Sequence, residues 1–187
     1  MRYSIVLACH LFLTLSSEAY ATVVRHAPLR ELTQASTWVI HATVGAVDDD
    51  LSTDASGPFL TRVNFNIIEV LRGPQADRSK LSVVFPGGRS GERIARIPGM
   101  PQFKMGEEVV VLLESTGEGR FIPIGLEQGV FRIENKNGER TVHRNMGSLH
   151  FVKDPHGEEK PFEDVMPKSI AQLLSTLRQF AKEGARQ

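Results

Sequence analysis

Val109-Val110-Val111-Leu112-Leu113 is apolar at five successive positions, preceded by Gly106-Glu107-Glu108 and followed by Glu114-Ser115-Thr116-Gly117. A strand with one face in water alternates apolar and polar residues. A short run without alternation, rich in valine, belongs instead to a strand covered on both faces. This segment is expected at the middle of a sheet, and the rest of the chain must supply what covers it.

Working outward, the period of two returns. Trp38, Ile40, Ala42, Val44 and Ala46 share one face of a strand whose other face carries His41 and Thr43, the pattern of a half-buried strand. Asp48-Asp49-Asp50 through Gly57-Pro58 ends it in an exposed loop. Val63, Phe65 and Ile67 then alternate with Arg62, Asn64 and Asn66 until Ile68 and Val70 change face, which predicts a bulge near Ile67-Ile68. Leu81, Val83 and Phe85 form a third strand closed by Pro86-Gly87-Gly88. Beyond the central run, Phe121 to Ile124 and Val130 to Ile133 are two short strands separated by Gly125-Leu126-Glu127-Gln128-Gly129. Asn137-Gly138 lies between Phe131-Arg132-Ile133 and Thr141-Val142-His143, a hairpin signal because both turn positions need positive φ.

Helical spacing occurs only near the ends. Leu29, Leu32 and Ala35 follow Pro28 at intervals of three, the first turns of a short helix. Ser169 with Gln172 reads as a capping box opening a helix over 168–183, with Ile170, Leu173, Leu174, Leu177 and Phe180 as its apolar stripe and Gly184 as its stop. These elements predict a mainly β fold: a small OB-like β-barrel with a short N-terminal helix and a C-terminal amphipathic helix over an open edge.

The first residues read as an address. Met1-Arg2 is a positive start, Ile5 to Leu15 is apolar apart from His10 and Thr14, and Ala19-Tyr20-Ala21 offers small residues to signal peptidase. Residues 1–21 are expected to be a signal peptide, leaving 22–187 as a single β-barrel domain that starts at Thr22 and is periplasmic or secreted. The apolar run is shorter than the about 20 residues a permanent anchor needs, and no later run reaches that length, so no membrane span is expected in the mature chain. Val6-Leu7-Ala8-Cys9 faintly resembles a lipid-attachment box, but the apolar run continues through Leu11, Phe12, Leu13 and Leu15, where such a box ends it. Cys9 is the one cysteine of the chain. Cleavage removes it, which excludes disulfides, thiol catalysis and zinc-thiolate sites from the mature protein. The formal net charge is zero, so no long-range field steers nucleic acid toward it, and export makes that partner unexpected.

Several segments taken together are more specific. They are Ser36-Thr37-Trp38-Val39-Ile40-His41-Ala42-Thr43-Val44, Glu69-Val70-Leu71-Arg72-Gly73, Pro86-Gly87-Gly88, Gly99-Met100-Pro101-Gln102-Phe103-Lys104-Met105-Gly106-Glu107 and Gly125-Leu126-Glu127-Gln128-Gly129-Val130-Phe131. In that order and spacing, over roughly residues 29 to 134, they resemble a group of bacterial exported proteins of unknown function. More distantly, the strand order is similar to the OB-type barrel of tissue inhibitors of metalloproteinases and netrin-like modules. Those inhibitors place an N-terminal cysteine on a protease's zinc. The expected N-terminus here is Thr22, so the likeness implies fold and leaves the inhibitor chemistry without its key residue.

Pro86-Gly87-Gly88-Arg89-Ser90-Gly91-Glu92 offers backbone N–H groups to an anion, with Arg89 and Arg93 nearby, but lacks the Gly-Lys-Ser/Thr ending of a phosphate loop and reads first as a turn. Gly99 to Gly106 sets Met100, Phe103 and Met105 in a glycine- and proline-bearing loop, which reads either as a lid folded onto the barrel mouth or as an adaptable contact surface. The candidate interface is therefore Met100, Phe103 and Met105, rimmed by Arg89, Arg93 and Arg96. Adjacent Glu107 and Glu108 point to opposite faces and do not form a catalytic pair. His143, His150 and His156, with Asp154 and Glu158, are the densest set of potential metal ligands, at a spacing that matches no standard zinc pattern. Ser148 and His150 share a face if that segment is extended, without an oxyanion-hole signal, and His41 reads as a surface or satisfied histidine. No catalytic residue, metal or cofactor is assigned. The expected role is a non-catalytic binding or accessory module for an exported or envelope protein. A protease-inhibitor-like protein is the alternative, and a hydrolase using the Ser148 to His156 segment the second.

Overall fold

The structure, a computed structural model, describes residues 23–51, 57–74, 79–117, 120–151 and 167–184. The expected signal peptide with Thr22, and Asp154, His156 and Glu158 of the expected ligand cluster, lie outside the described residues. In chain order the elements are β1 (Val23–Val24), α1 (Leu29–Ala35), β2 (Trp38–Asp48), β3 (Leu60–Arg72), β4 (Lys80–Pro86), β5 (Gly88–Ser90), β6 (Arg93–Ala95), β7 (Glu108–Gly117), β8 (Arg120–Pro123), a 3-10 turn (Leu126–Gly129), β9 (Val130–Lys136), β10 (Glu139–His143), β11 (His150–Phe151) and α2 (Ile170–Gly184). The protein is mainly β, with one helix near each end of the described chain. Among the described residues no helix is long and apolar enough to cross a membrane.

The main sheet runs β10-β9-β7-β2-β3-β4, and β8 also pairs with β7. β2, β3 and β4 are consecutive antiparallel neighbours, and β7 returns to lie beside β2. That order is a Greek key. One edge of β7 is shared: Glu108 to Val111 pair with β9, and Leu113 to Gly117 pair with β8. The expected bulge is present, because His41 pairs with Glu69 and Ala42 with Ile67, leaving Ile68 unpaired. Two further shifts, between Val39 and Ile40 and between Val44 and Ala46, bend the same pair of strands.

Bending gives the sheet a concave and a convex face, each with its own core. Trp38, Ile40, Ala42, Val44, Val63, Phe65, Leu81, Val83, Phe85, Val109, Val111 and Leu113 fill the concave side. Val39, Val110, Leu112 and Phe131 point the other way, onto Leu29 and Leu32 of α1 and Leu173 and Leu177 of α2. The unbroken apolar run of β7 thus divides its residues between two cores. β2 departs from the expectation of a half-buried strand, since helix packing buries Val39 and His41 as well as the concave-side residues.

The barrel expected from the sequence is not closed. β4 and β8 come within 8 Å between Cα atoms, yet no ladder joins them. β8 has four residues, one of them Pro123 without an N–H, too little to sustain a second ladder beside the one it makes with β7.

Local chemistry explains the helices. Pro28 caps α1, where its missing N–H costs nothing, and the Ser169 hydroxyl accepts the Gln172 N–H at 3.3 Å at the start of α2. The stripe of α2 is buried at Ile170, Leu173 and Leu177, whereas Leu174 and Phe180 are only partly covered. Polar ties orient the helices: Arg178 of α2 grips Glu69 of β3 at 2.8 and 2.6 Å, and Arg30 of α1 pairs with Glu183 and lies 4.3 Å above the Phe180 ring. Gly73 ends β3 because a Cβ there would stand 2.5 Å from the Trp38 ring.

Candidate functional site

Where the concave face opens, a cavity of about 350 Å³ lies between the end of β4, the β5-β6 hairpin and the segment 100–103. Its apolar lining begins in the core with Val63, Phe85 and Phe103 and continues outward to Val47, Met100, Ile94 and Ile97. Ile94 and Ile97 are 53% and 40% exposed, a cost in water that packing within the chain does not recover. The charged groups lining it are Asp49, Arg89 and Arg96.

The hairpin is anchored by its first residues. The Gly87 N–H donates to the Phe59 carbonyl at 2.9 Å, the Arg89 N–H to the Asp49 carbonyl at 2.5 Å, and the Thr61 hydroxyl to the Gly87 carbonyl at 2.9 Å. Gly88 is obligatory, with φ +142 and two carbonyl oxygens within 2.7 Å of where a Cβ would sit. Pro86-Gly87-Gly88 is therefore a corner that turns the chain across the open end, and Arg89 leaves that corner toward the cavity.

The facing loop is tied at both ends. The Glu127 N–H donates to Gly99 O at 3.1 Å, the Gly106 N–H to Val44 O at 2.8 Å, and Arg132 to Gln102 O at 3.2 Å. Phe103 is 7% exposed and packs edge-on to Phe65 at 5.3 Å and stacked on Phe85 at 5.7 Å. It forms part of the cavity floor. Met100 is half-buried in the lining, and Met105 is 76% exposed on a turn away from it. Of the six candidate interface residues, the structure gathers Met100, Phe103, Arg89 and Arg96 around one cavity. Met105 and Arg93 stand apart, the Arg93 guanidinium lying 5.1 Å over the Phe59 ring.

Sequence reasoning placed Glu127 and Gln128 in a segment of the resemblance but gave them no role; both are buried in the 3-10 turn. Glu127 takes both Arg132 nitrogens, at 2.8 and 3.2 Å. Gln128 accepts the Ala27 N–H at 3.1 Å and donates to Arg25 O at 3.0 Å, pinning the segment ahead of α1. Two polar residues bracketed by glycines and followed at once by apolar Val130-Phe131 were the available signal. These bonds satisfy groups that burial would otherwise penalise. Gly129 must be glycine there, since a Cβ would lie 2.5 Å from Ile124 O.

The remaining candidates are dispersed. His41 is buried on the convex side, and its imidazole donates to Glu108 at 2.6 Å, so it is a satisfied histidine. Glu108 also pairs with Arg140. Glu69, opposite His41 in the ladder, has its carboxyl held below the usual range mainly by the hydrogen bonds from Arg178. His143 lies 3.4 Å from Glu134 on the β9-β10 hairpin, and His150 pairs with Val23 in a separate two-stranded sheet. Ser148 sits in a turn closed by the Leu149 N–H on Met146 O at 3.1 Å, so the extended arrangement that would set it beside His150 is not formed. Among the described residues no group of three metal-ligating side chains gathers. No model of a known protein family matches the chain, and no curated protein matches it significantly in sequence.

Proposed function

We propose that this protein is an exported, non-catalytic binding module of the cell envelope, whose recognition surface is the cavity at the open end of its sheet. The observation that carries the reading is the cavity itself: an apolar floor continuous with the core, two exposed isoleucines at its mouth, and guanidinium groups beside them. Arginine and apolar side chains are suited to holding a ligand, and Asp49 is the single carboxylate among the lining residues. Export rests on the tripartite pattern of residues 1–21.

The fold class we assign is OB-like and partly open. The Greek-key order of β2, β3, β4 and β7, the curled concave face, and the approach of β8 to β4 support it. In such a fold the open end is where loops are free to differ without loss of the core.

The test is co-purification from envelope extracts, comparing the wild type with an Ile94→Asp/Ile97→Asp variant that places charge at the mouth. Both positions are exposed, so the melting temperature should hold while capture of the bound component is lost. A variant that captures the same components as the wild type would overturn the assignment of the cavity. N-terminal sequencing of envelope-derived protein tests export, with Thr22 the expected first residue.

A further inference from the structure

We propose that the cavity takes an amphipathic carboxylate, with its apolar body seated on Phe85, Phe103 and Met100 and its anionic end at Arg89 and Arg96. This rests on the reading of the cavity as a binding site and names the chemistry of its ligand. Three features of the lining select that chemistry. The floor at Val63, Phe85, Phe103 and Met100 is hydrocarbon and aromatic and rewards an apolar body, while Asp49, Thr61, Arg89, Arg96 and Gln102 make the rest of the lining polar, so the ligand carries both characters. The cavity volume of about 350 Å³ lies near the lower end of the roughly 300–1,000 Å³ range of small-molecule sites, so the body is short. Charge provides the third, since two guanidinium groups face one carboxylate, Asp49, giving the mouth a net positive charge.

The two arginines are equipped for this role and spared for it. Other arginines along the described chain are committed to carboxylates: Arg25 to Glu31, Arg30 to Glu183, Arg62 to Asp48, Arg132 to Glu127, Arg140 to Glu108 and Arg178 to Glu69. Among the described residues Arg89 and Arg96 form no ion pair, and both are exposed residues lining a hollow whose floor is apolar. A guanidinium binds a carboxylate through paired N–H donors, and it does so more strongly where an apolar surround excludes water. Arg89 is also fixed in position, because its own N–H is bonded to Asp49 O and its neighbour Gly88 is wedged against backbone. A free alkanoic acid and the C-terminus of an apolar peptide share this chemistry, and the experiment separates them.

The full chain would be titrated with decanoate, with decanol, and with a short apolar peptide bearing either a free or an amidated C-terminus, with binding read by calorimetry. Decanoate or the free peptide should bind at least about tenfold more tightly than its uncharged counterpart, the scale of a charge-assisted hydrogen bond. Whichever of the two binds more tightly identifies the source. An Arg89→Gln/Arg96→Gln variant should lose that preference with an unchanged melt, since neither side chain contributes to the core. Rising salt should weaken decanoate binding to the wild type and leave decanol binding unchanged, a readout that does not depend on the variant folding. Equal binding of decanol and decanoate, an arginine variant that retains the preference, or no binding by any of the four would overturn the proposal. If an envelope component is still captured by the wild type and lost in Ile94→Asp/Ile97→Asp, the binding-module reading stands and only the ligand class falls.

Discussion

Replacing Phe103 with alanine separates a loop that belongs to the fold from one that waits for a partner. Phe103 is 7% exposed and touches two core phenylalanines, Phe65 and Phe85. An aromatic side chain buries about 150 Å² or more, and at about 25 cal/mol per Å² its removal costs roughly 4 kcal/mol. That agrees with the about 3–5 kcal/mol found for Phe→Ala in cores. The open cavity beside the ring lets water enter the space left behind, which places the expectation toward the lower value. The chain contains one tryptophan, Trp38, 2% exposed in the same concave core, so its fluorescence reports unfolding of the region concerned. With a urea slope of about 2 kcal/mol per molar, the midpoint should fall by roughly 1.5 to 2 M at unchanged slope. A midpoint within about 0.3 M of the wild type, on the same slope, would refute the reasoning and return Phe103 to the role of an exposed contact residue.

Leu177→Ala, at a fully buried position in the convex-side core, should cost about 2–5 kcal/mol in denaturant melts, while Leu174→Ala, only partly covered, should cost distinctly less; equal costs would mean that α2 is rotated from the orientation described. The Glu69 carboxyl is depressed in the folded protein by Arg178, so the pair contributes stability above the ordinary value of 4.5, lost as pH falls through the lower folded value; Arg178→Gln should remove that acid-side dependence. The pair is partly exposed, which limits its effect to about 1 kcal/mol or less, and a variant whose pH profile matches the wild type would exclude the linkage. Asn137 and Gly138 have φ of 54 and 85, so Gly138→Val should destabilise the β9-β10 hairpin, read as faster amide exchange than in the wild type at Thr141, which is paired with Glu134 of β9. Melts with and without reductant should coincide for protein starting at Thr22, and a shift of several degrees would reveal retained Cys9.

Much of the local structure was legible from residue order because its causes are local. The Asn137-Gly138 turn, the capping hydroxyl of Ser169, Pro28 ahead of α1 and the bulge at Ile68 each depend on a few neighbouring residues, and each occurs where the sequence places it. The central position of Val109 to Leu113 was also readable, since only a strand covered twice can carry so long an apolar run. What failed were statements about partners far apart in the chain. β2 is not the half-buried strand its alternation suggests, because α1 and α2 pack over Val39 on its second face, while His41 on that face is the satisfied histidine of its two expected readings, with Glu108 of β7 as partner. Closure of the barrel depends on whether β8 and β4, separated by more than thirty residues, can form a ladder, and four residues ending in Pro123 cannot.

The candidate site divides along the same line. Composition alone marked Met100, Phe103, Met105, Arg89, Arg93 and Arg96 as residues out of keeping with ordinary loops. Only the tertiary structure sorted them, placing Phe103 in the floor of a cavity, Arg89 and Arg96 on its rim, and Met105 and Arg93 elsewhere. Residue types and their spacing set hydrophobic period, turn geometry and capping, because those act over a few bonds. A cavity is a space left between distant segments, and its shape and charge exist only once the Greek key has brought those segments together.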